Sequence, residues 1–169
     1  MAMNRRSFFS RSWKFVAVAL GAEALWTTWD LVNPRVSEGF GSKIAVGPVA
    51  GFSPGEVRYF ANGRFYVVNL EGEFKALYQK CPHLGCRVPF CESSGRFECP
   101  CHGSAFNVKG EVLGGPSPRG MDSFALEIGE EGIVVDTGTL IRGPAKGIVT
   151  LDGGEAGPSC HLDEPHGET

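Results

Sequence analysis

Two short cysteine–histidine motifs constrain this 169-residue chain more than any other feature. Residues 81–86 read CPHLGC, and residues 99–104 read CPCHGS. Each motif offers one thiolate and one imidazole to a metal, and each also contains a second cysteine. Two cysteines and two histidines are the ligands of a mixed-ligand [2Fe–2S] centre, in which the cysteines bind one iron and the histidines bind the other. The motifs therefore predict an iron–sulfur site.

A structural zinc site is the main alternative, since zinc also accepts two cysteines and two histidines. Three features count against zinc. The ligands alternate along the chain, whereas zinc fingers usually pair Cys with Cys and His with His. The N-terminal sequence described below indicates export to an oxidising compartment, which disfavours reduced zinc cysteines. Zinc also leaves Cys86 and Cys101 unexplained. A c-type haem is not expected, because the chain has no Cys-x-x-Cys-His sequence.

Both motifs match those of Rieske iron–sulfur proteins position for position, including the Leu-Gly of the first and the Gly-Ser of the second. The chain therefore resembles the Rieske family over roughly residues 44–136. The resemblance implies one Rieske-type [2Fe–2S] cluster as the cofactor. It assigns the metal to Cys81, His83, Cys99 and His102, and a disulfide to Cys86 and Cys101.

The same resemblance assigns residues around the cluster. It implies that Leu84 covers the cluster face and that the Ser104 hydroxyl donates a hydrogen bond to a bridging sulfide. Gly115 and Pro116 begin a sequence, GPSPR, that resembles the proline loop closing over the cluster in this family. His102 is the expected direct partner of a quinol. His83 is expected to share in coupling the proton to the electron.

Position 106 departs from the high-potential members of the family. Those relatives carry a tyrosine there, whose hydroxyl reaches a ligand sulfur, whereas this chain has Phe106. Hydrogen bonds to the sulfurs raise the reduction potential. We therefore predict a potential below that of relatives with both donors, in the range suited to menaquinol.

The N-terminus indicates export. Residues 4–9 read NRRSFF, which resembles a twin-arginine signal, the route for proteins that fold around a cofactor before crossing the membrane. The alternative is that the two arginines only flank a hydrophobic stretch. We predict a signal region over residues 1–12.

Residues 13–33 are mostly apolar and long enough to cross a membrane as one helix. Trp13 lies at one end and Trp26 and Trp29 at the other, where interfacial aromatic residues belong. Basic residues before the span and Asp30 after it predict a bacterial cytoplasmic-membrane anchor that passes once, with the rest of the chain on the extracytoplasmic side.

The Glu23 carboxylate is costly within the membrane unless it is protonated or faces other protein. A helix packed within a larger membrane complex could accommodate it. A cleaved signal peptide, with a small-residue site at residues 22–24, is the competing reading. Rieske proteins of respiratory complexes usually keep the signal as an anchor, and we therefore expect it to be retained. Residues 34–43 have the composition of a flexible tether.

Beyond residue 43, short β-rich runs separated by turn residues predict an all-β domain. Asn62-Gly63 is a strong hairpin signal, because both residues tolerate positive φ. With the resemblance, we expect an antiparallel Rieske-type β-sandwich over residues 44–146, with a small cluster-binding subdomain at about 80–120. The predicted strands are residues 57–60, 64–69, 74–79, 96–99, 124–128 and 133–136.

Residues 147–169 contain five acids and no lysine or arginine, which is typical of a solvated tail. A metal site at Cys160, His161 and His166 is disfavoured. An even number of cysteines is compatible with a second disulfide between Cys91 and Cys160. Free thiols, or a bond to another subunit, fit the sequence equally well.

Charge is unevenly distributed. The first fourteen residues carry +4 and the whole chain −3, which leaves −7 for the rest. An acidic body argues against a nucleic-acid partner.

The resemblance implies the electron-transfer subunit of a bacterial quinol–cytochrome c reductase. Such a subunit takes an electron from quinol, coupled to proton release, and passes it to a cytochrome. Its partners would be quinol, a cytochrome b and a cytochrome c-type acceptor. By itself the chain would be an electron carrier, because we find no second redox site in the sequence. The alternatives are the small Rieske subunit of an arsenite oxidase and a soluble Rieske ferredoxin of an oxygenase.

Overall fold

The computed structural model describes residues 4–33, 39–151 and 157–160. The chain divides after residue 37 into two units, an N-terminal helix and a β domain. Residues 34–38, half of the predicted tether, and residues 152–156 and 161–169 of the predicted tail lie outside the described residues. The positions His161 and His166 are among them.

The first unit is helix α1, Arg5–Val32. The Asn4 side chain caps its N-terminus by accepting a hydrogen bond from the backbone N–H of Arg6. At ~1.5 Å per residue the helix is about 42 Å long, which exceeds the ~30 Å of a bilayer core. The most apolar 18-residue window within residues 6–32 has a mean hydropathy of 1.3, enough to cross a membrane, and a signal sequence has the same properties. The helix begins eight residues before the predicted span.

In its described residues the second unit has ten strands, which we number in chain order. They are β1 Lys43–Gly47, β2 Val57–Phe60, β3 Phe65–Leu70, β4 Glu73–Tyr78, β5 Phe90–Cys91, β6 Arg96–Glu98, β7 Ala105–Phe106, β8 Val112–Gly114, β9 Ser123–Gly129 and β10 Gly132–Ile141. A short 3₁₀ turn, Val49–Gly51, follows β1.

The strands form two sheets in which every pairing is antiparallel. The larger sheet has the order β1-β10-β9-β4-β3-β2, and the smaller has the order β5-β6-β7-β8. The smaller sheet falls within the predicted cluster-binding region. Fold class is therefore as predicted: all-β and antiparallel, with one N-terminal apolar helix.

Strand β3 shows how the sequence builds two cores from one sheet. Its residues alternate between faces, as strand geometry requires. Tyr66 and Val68 pack into a cluster that includes Phe97 of the smaller sheet. Phe65 and Val67 pack into a second cluster on the opposite face. Because both faces are covered, the first five residues of β3 are buried.

The β2–β3 hairpin exists as predicted, but its turn differs. Phe60 pairs with Phe65, so the loop has four residues, and the positive φ lies at Arg64 (57°). Gly63 is required for a different reason. A Cβ at this position would lie 2.3 Å from a ring carbon of Phe65 and 2.7 Å from Cδ1 of Ile44. Packing of the core therefore excludes a side chain at Gly63.

Residues 143–151 and 157–160, which we call the C-terminal strap, are bonded to the domain at several points. Gly120 N–H donates to the Pro144 carbonyl (2.7 Å), and Lys146 Nζ donates to the Gly115 carbonyl (2.7 Å). The backbone N–H of Cys160 donates to the Glu98 carboxylate (3.1 Å).

This corrects the expectation of a solvated tail for the part that is described. Cys91 and Cys160 form a disulfide, the first of the alternatives left open by the sequence. Residues 147–150 are exposed to solvent, yet their chain is held by specific bonds. Composition indicated exposure correctly but carried no information about these partners.

Glu111, in the turn between β7 and β8, is the central attachment of the strap. Its carboxylate accepts hydrogen bonds from Asn107 Nδ2 and from the backbone N–H groups of Thr150 (2.8 Å) and Leu151 (3.3 Å). The Thr150 hydroxyl donates a further bond. Burial alone would raise the pKa of Glu111, but these hydrogen bonds outweigh it and lower the pKa to about 2.

We predict that Gly63→Ala destabilises the β domain by about 1–3 kcal/mol, because the new methyl group overlaps buried side chains. The measurement is denaturant unfolding of the full chain. Gly129→Ala is the matched control, since a Cβ there meets nothing within 4 Å. An equal effect of the two substitutions would show that packing at Gly63 is not the constraint.

We predict that Glu111→Gln destabilises the protein most at neutral pH. The folded pKa lies below the usual value of 4.5, so the ionised carboxylate stabilises the fold above that value. This contribution is lost as pH falls towards 2, where the variant and the wild type should converge. Unfolding free energies at pH 7, 4 and 2.5 test this, with the exposed Glu130→Gln as control. A difference that is independent of pH would contradict the assignment.

Candidate metal centre

The first ligand loop, residues 81–86, follows β4 and is closed by two backbone hydrogen bonds. Cys81 N–H donates to the Cys86 carbonyl (2.8 Å), and Gly85 N–H donates to the Cys81 carbonyl (2.9 Å). Gly85 has a φ of 87°, which favours glycine. The loop is thus fixed by its own backbone.

The second ligand loop, residues 99–104, follows β6 and repeats this geometry. Cys99 N–H donates to the Ser104 carbonyl (2.8 Å), and Gly103 N–H donates to the Cys99 carbonyl (3.1 Å). Gly103 has a φ of 70°. The two motifs share the pattern Cys-Pro-x-x-Gly, which is the sequence signal for this repeated loop geometry. The repeat itself was not among the predictions from the sequence.

The four predicted ligands come together with thiols inside and imidazoles outside. Cys81 and Cys99 are 2% and 4% exposed, and neither is in a disulfide. The rings of His83 and His102 lie with their centroids 4.9 Å apart and nearly perpendicular. His83 is half-buried and His102 is exposed.

The Cys81 thiol lies in an environment that disfavours its thiolate form. Burial raises its pKa, and the adjacent Cys99 sulfur raises it further. Backbone N–H groups of His83 and Leu84 act in the opposite direction, because they donate towards the sulfur. A bound cation deprotonates a coordinating thiol outright. The two thiols and their burial therefore fit a bound metal cation.

Cys86 and Cys101 form a disulfide that joins the two ligand loops, as the resemblance implies. The sulfur atoms of this pair and of Cys99 all lie within 4.8 Å of one another. The covalent bond therefore lies directly beside a ligand. Four of the six cysteines are thus paired, which leaves only Cys81 and Cys99 free.

Residues 115–119, the proline loop, pack on the second ligand loop. The buried Ser104 hydroxyl accepts a hydrogen bond from Ser117 N–H (3.1 Å), which leaves its own proton to donate elsewhere. Gly115 has a φ of 84°, and a Cβ there would lie 2.5 Å from the Gly103 carbonyl oxygen. Glycine is therefore required where the two loops touch.

The structure also places the remaining predicted residues, whose roles at the cluster stay predictions. Leu84 is 70% exposed at the tip of the first loop. A cavity of about 450 Å³ beside it is lined by His83, Leu84 and Leu140, among other residues. Pro116 is exposed within the proline loop. Phe106 is fully buried in the same core cluster as Cys81 and Cys99.

Lys146 is a contact that the sequence did not predict. Its ammonium group donates to the Gly115 carbonyl at the start of the proline loop, 31 residues earlier in the chain. An exposed lysine at such separation has no local sequence signal. The strap therefore contributes to the surroundings of the site in a way that only the fold shows.

Comparison with known proteins agrees with this geometry. The Rieske [2Fe-2S] domain family matches residues 42–125. The iron-sulfur subunit of the cytochrome b6-f complex of Chlorobaculum tepidum is 28% identical over 135 residues, or 78% of this chain and 75% of that protein. A subunit of the same name from Cyanophora paradoxa is 33% identical, over 62% of this chain and 50% of that protein.

The alignments to several other curated relatives are shorter. The chain spans 35% of the Volvox carteri subunit and 41% of one from Prochlorococcus marinus. Among solved structures, a plasma membrane Rieske protein of Synechocystis PCC 6803 is 32% identical. The match covers 54% of this chain and 97% of that one, with a TM-score of 0.43.

The matched region contains both ligand loops and the proline loop. Its two buried free thiols and its two adjacent imidazoles are the ligand types that the family's cofactor requires. The chain belongs to the Rieske [2Fe–2S] family, and its cofactor is one [2Fe–2S] cluster.

Proposed function

We propose that this chain is the electron-transfer subunit of a bacterial quinol–cytochrome c reductase, which takes an electron from quinol and passes it to a cytochrome. The observation that carries the proposal is the pair of solvent-accessible imidazoles above two buried thiols, on loops joined by a disulfide. Relatives named as iron-sulfur subunits of cytochrome b6-f complexes support the oxidoreductase role.

A bound [2Fe–2S] cluster supplies a site that gains or loses one electron. The residues of this chain provide the proton chemistry. His102 is exposed, so its imidazole can accept a hydrogen bond from a quinol hydroxyl and then its proton. His83 lines the adjacent cavity, and Leu84 offers an apolar contact to the quinone ring.

The surroundings of Ser104 and Phe106 support menaquinol as the donor. The Ser104 hydroxyl is held by the proline loop with its proton available to donate, which raises the reduction potential. Phe106 lies in the core beside the ligand thiols but has no donor. High-potential relatives have two such hydrogen-bond donors, and this chain has one of them. We therefore expect an intermediate reduction potential, which suits menaquinol, a quinol of lower potential than ubiquinol.

We also propose that the β domain lies on the extracytoplasmic side of the membrane, with α1 retained as a single-pass anchor. Two disulfides in one small domain fit an oxidising compartment. The apolar composition of α1 and the basic residues before it support this orientation. The twin-arginine signal over residues 1–12 stays a prediction.

The first test is an EPR-monitored redox titration of the full chain in detergent. We expect a Rieske signal with a midpoint above zero, within the roughly −150 to +300 mV range of such centres. A midpoint near the lower limit would favour an oxygenase ferredoxin. Bound zinc without an EPR signal would contradict the iron–sulfur assignment. Reduction by menaquinol in the presence of a cytochrome b distinguishes the reductase from an arsenite oxidase subunit.

We predict that Phe106→Tyr raises the midpoint potential, because it restores a hydrogen-bond donor near a ligand sulfur. A bond that favours the reduced state by about 1 kcal/mol corresponds to about 40 mV for one electron. Phe97→Tyr is the matched control, since Phe97 is also fully buried and pairs with Phe106 across β6 and β7. Unchanged midpoints in both variants would remove the argument for menaquinol.

A further inference from the structure

The two ends of the larger sheet are defined by strand pairing. Strand β4 runs from Glu73 to Tyr78 and leads directly into the first ligand loop. Ile141, the last residue of β10, pairs with Ser123, which pairs with Leu77 near the end of β4. We call this end, with the ligand loops, the ligand end. The β3–β4 and β9–β10 turns lie at the opposite end.

The opposite end is mainly acidic, with Lys75 and Lys109 beside Glu73 as its nearby cations. Its turns and the adjacent strand residues expose carboxylates to solvent, and one of these, Glu127, pairs with Lys43. The exposed carboxylates are Glu71, Glu73, Glu127, Glu130 and Glu131.

The ligand end is basic. Lys80 and Arg87 flank the first ligand loop, and an antiparallel bridge joins their backbones. The Arg87 guanidinium lies over the Tyr59 ring. Two carboxylates lie there among the described residues: Asp122, which forms an ion pair with Arg119, and the buried Glu98, which directly precedes the second ligand loop. The cations of this end are Arg64, Lys80, Arg87, Arg119, Arg142 and Lys146.

These cations surround apolar side chains. Leu84 is 70% and Leu140 is 53% exposed, and both line the cavity that also contains His83. Lys80 and Arg119 line the same cavity. Protein interfaces commonly have an apolar centre and a polar rim. The ligand end has this anatomy, with a rim in which cations outnumber carboxylates.

We propose that the ligand end is a docking surface for a redox partner protein that carries acidic residues around its own electron-transfer site. The inference rests on the proposed role as an electron carrier and names the chemistry of the partner. The whole chain has a net charge of −3, so attraction to an acidic partner must come from this local field. The opposed charges of the two ends orient the domain with its histidines towards the partner.

Anionic lipid headgroups would be attracted by the same cations. The position of the histidines favours a protein partner. His83 lines the same cavity as Lys80 and Arg119, and its ring lies 4.9 Å from that of the exposed His102, so the redox group of a protein docked here would come close to both rings. A lipid headgroup in that place accepts no electron and would cover the exit.

The test uses small oxidants of known charge on the full chain in detergent, after reduction by ascorbate. Each turnover moves one electron from the reduced centre to ferricyanide, which becomes ferrocyanide. Stopped-flow rates are measured from about 0.01 to 0.5 M ionic strength, over which screening becomes strong. If the local field acts, the rate with this trianion falls several-fold as salt increases. If the net charge of −3 acts instead, the rate rises, which would overturn the proposal.

Variants locate the effect. Lys80→Gln and Arg142→Gln should each lower the low-salt ferricyanide rate about two- to threefold and converge with the wild type at high salt. Lys43→Gln is the matched control, because Lys43 is an exposed lysine paired with Glu127. It should leave the rate unchanged. A cationic oxidant, tris(phenanthroline)cobalt(III), should show the reverse salt dependence. Equal effects of all three lysine and arginine variants would overturn the proposal.

Two further measurements separate the remaining outcomes. The midpoint potential of each variant is titrated, because a change in driving force would also change the rate. A shift in midpoint that accounts for the rate change would contradict docking. The rates are also compared in nanodiscs of phosphatidylcholine with and without phosphatidylglycerol. Loss of the salt dependence only with the anionic lipid would assign the basic end to the membrane. Absence of any Rieske EPR signal would instead refute the proposed function itself.

Discussion

The disulfide between Cys86 and Cys101 is the bond on which the rest of the site depends. The ligands come from two loops on different sheets, and each loop supplies only one thiol and one imidazole. Backbone hydrogen bonds fix each loop internally, but they do not fix one loop against the other. The disulfide supplies that constraint, and the proline loop adds a second through Ser104. Preorganised ligands in turn lower the entropy cost of binding the metal.

Burial then separates the roles of the two ligand types. The thiols lie in the core with Phe97 and Phe106, where water is excluded and hydrogen bonds to sulfur carry more weight. The imidazoles lie at the surface, where protons can be exchanged. Residue 106 is therefore placed to influence the electron without contact with a substrate, whereas His102 can contact a substrate directly. A substitution in the core and one at the surface thus test different parts of the proposed chemistry.

Much of this arrangement is predictable from the sequence, because its determinants are local. The ligand motifs lie within six residues each, and the hairpins are marked by turn residues between β-rich runs. The attachments of the C-terminal strap are not local. Glu111 bonds to Thr150 across 39 residues, and Cys91 bonds to Cys160 across 69. Composition correctly indicated an exposed segment there, but pairing depends on the path of the chain through the fold.

The distribution of charge shows the same distinction between composition and fold. From composition, the body of the chain is acidic, and an acidic body alone gives no reason to expect a surface that attracts anions. Antiparallel pairing determines at which end of the sheet each charge lies, because successive turns between strands lie at opposite ends. Arg64, Lys80 and Arg142 are far apart in sequence but meet beside the ligand loops. Near contact, a partner experiences this local field more strongly than the net charge, since salt screens charges beyond ~10 Å. The surface that delivers the electron can therefore be basic in a protein that is acidic as a whole.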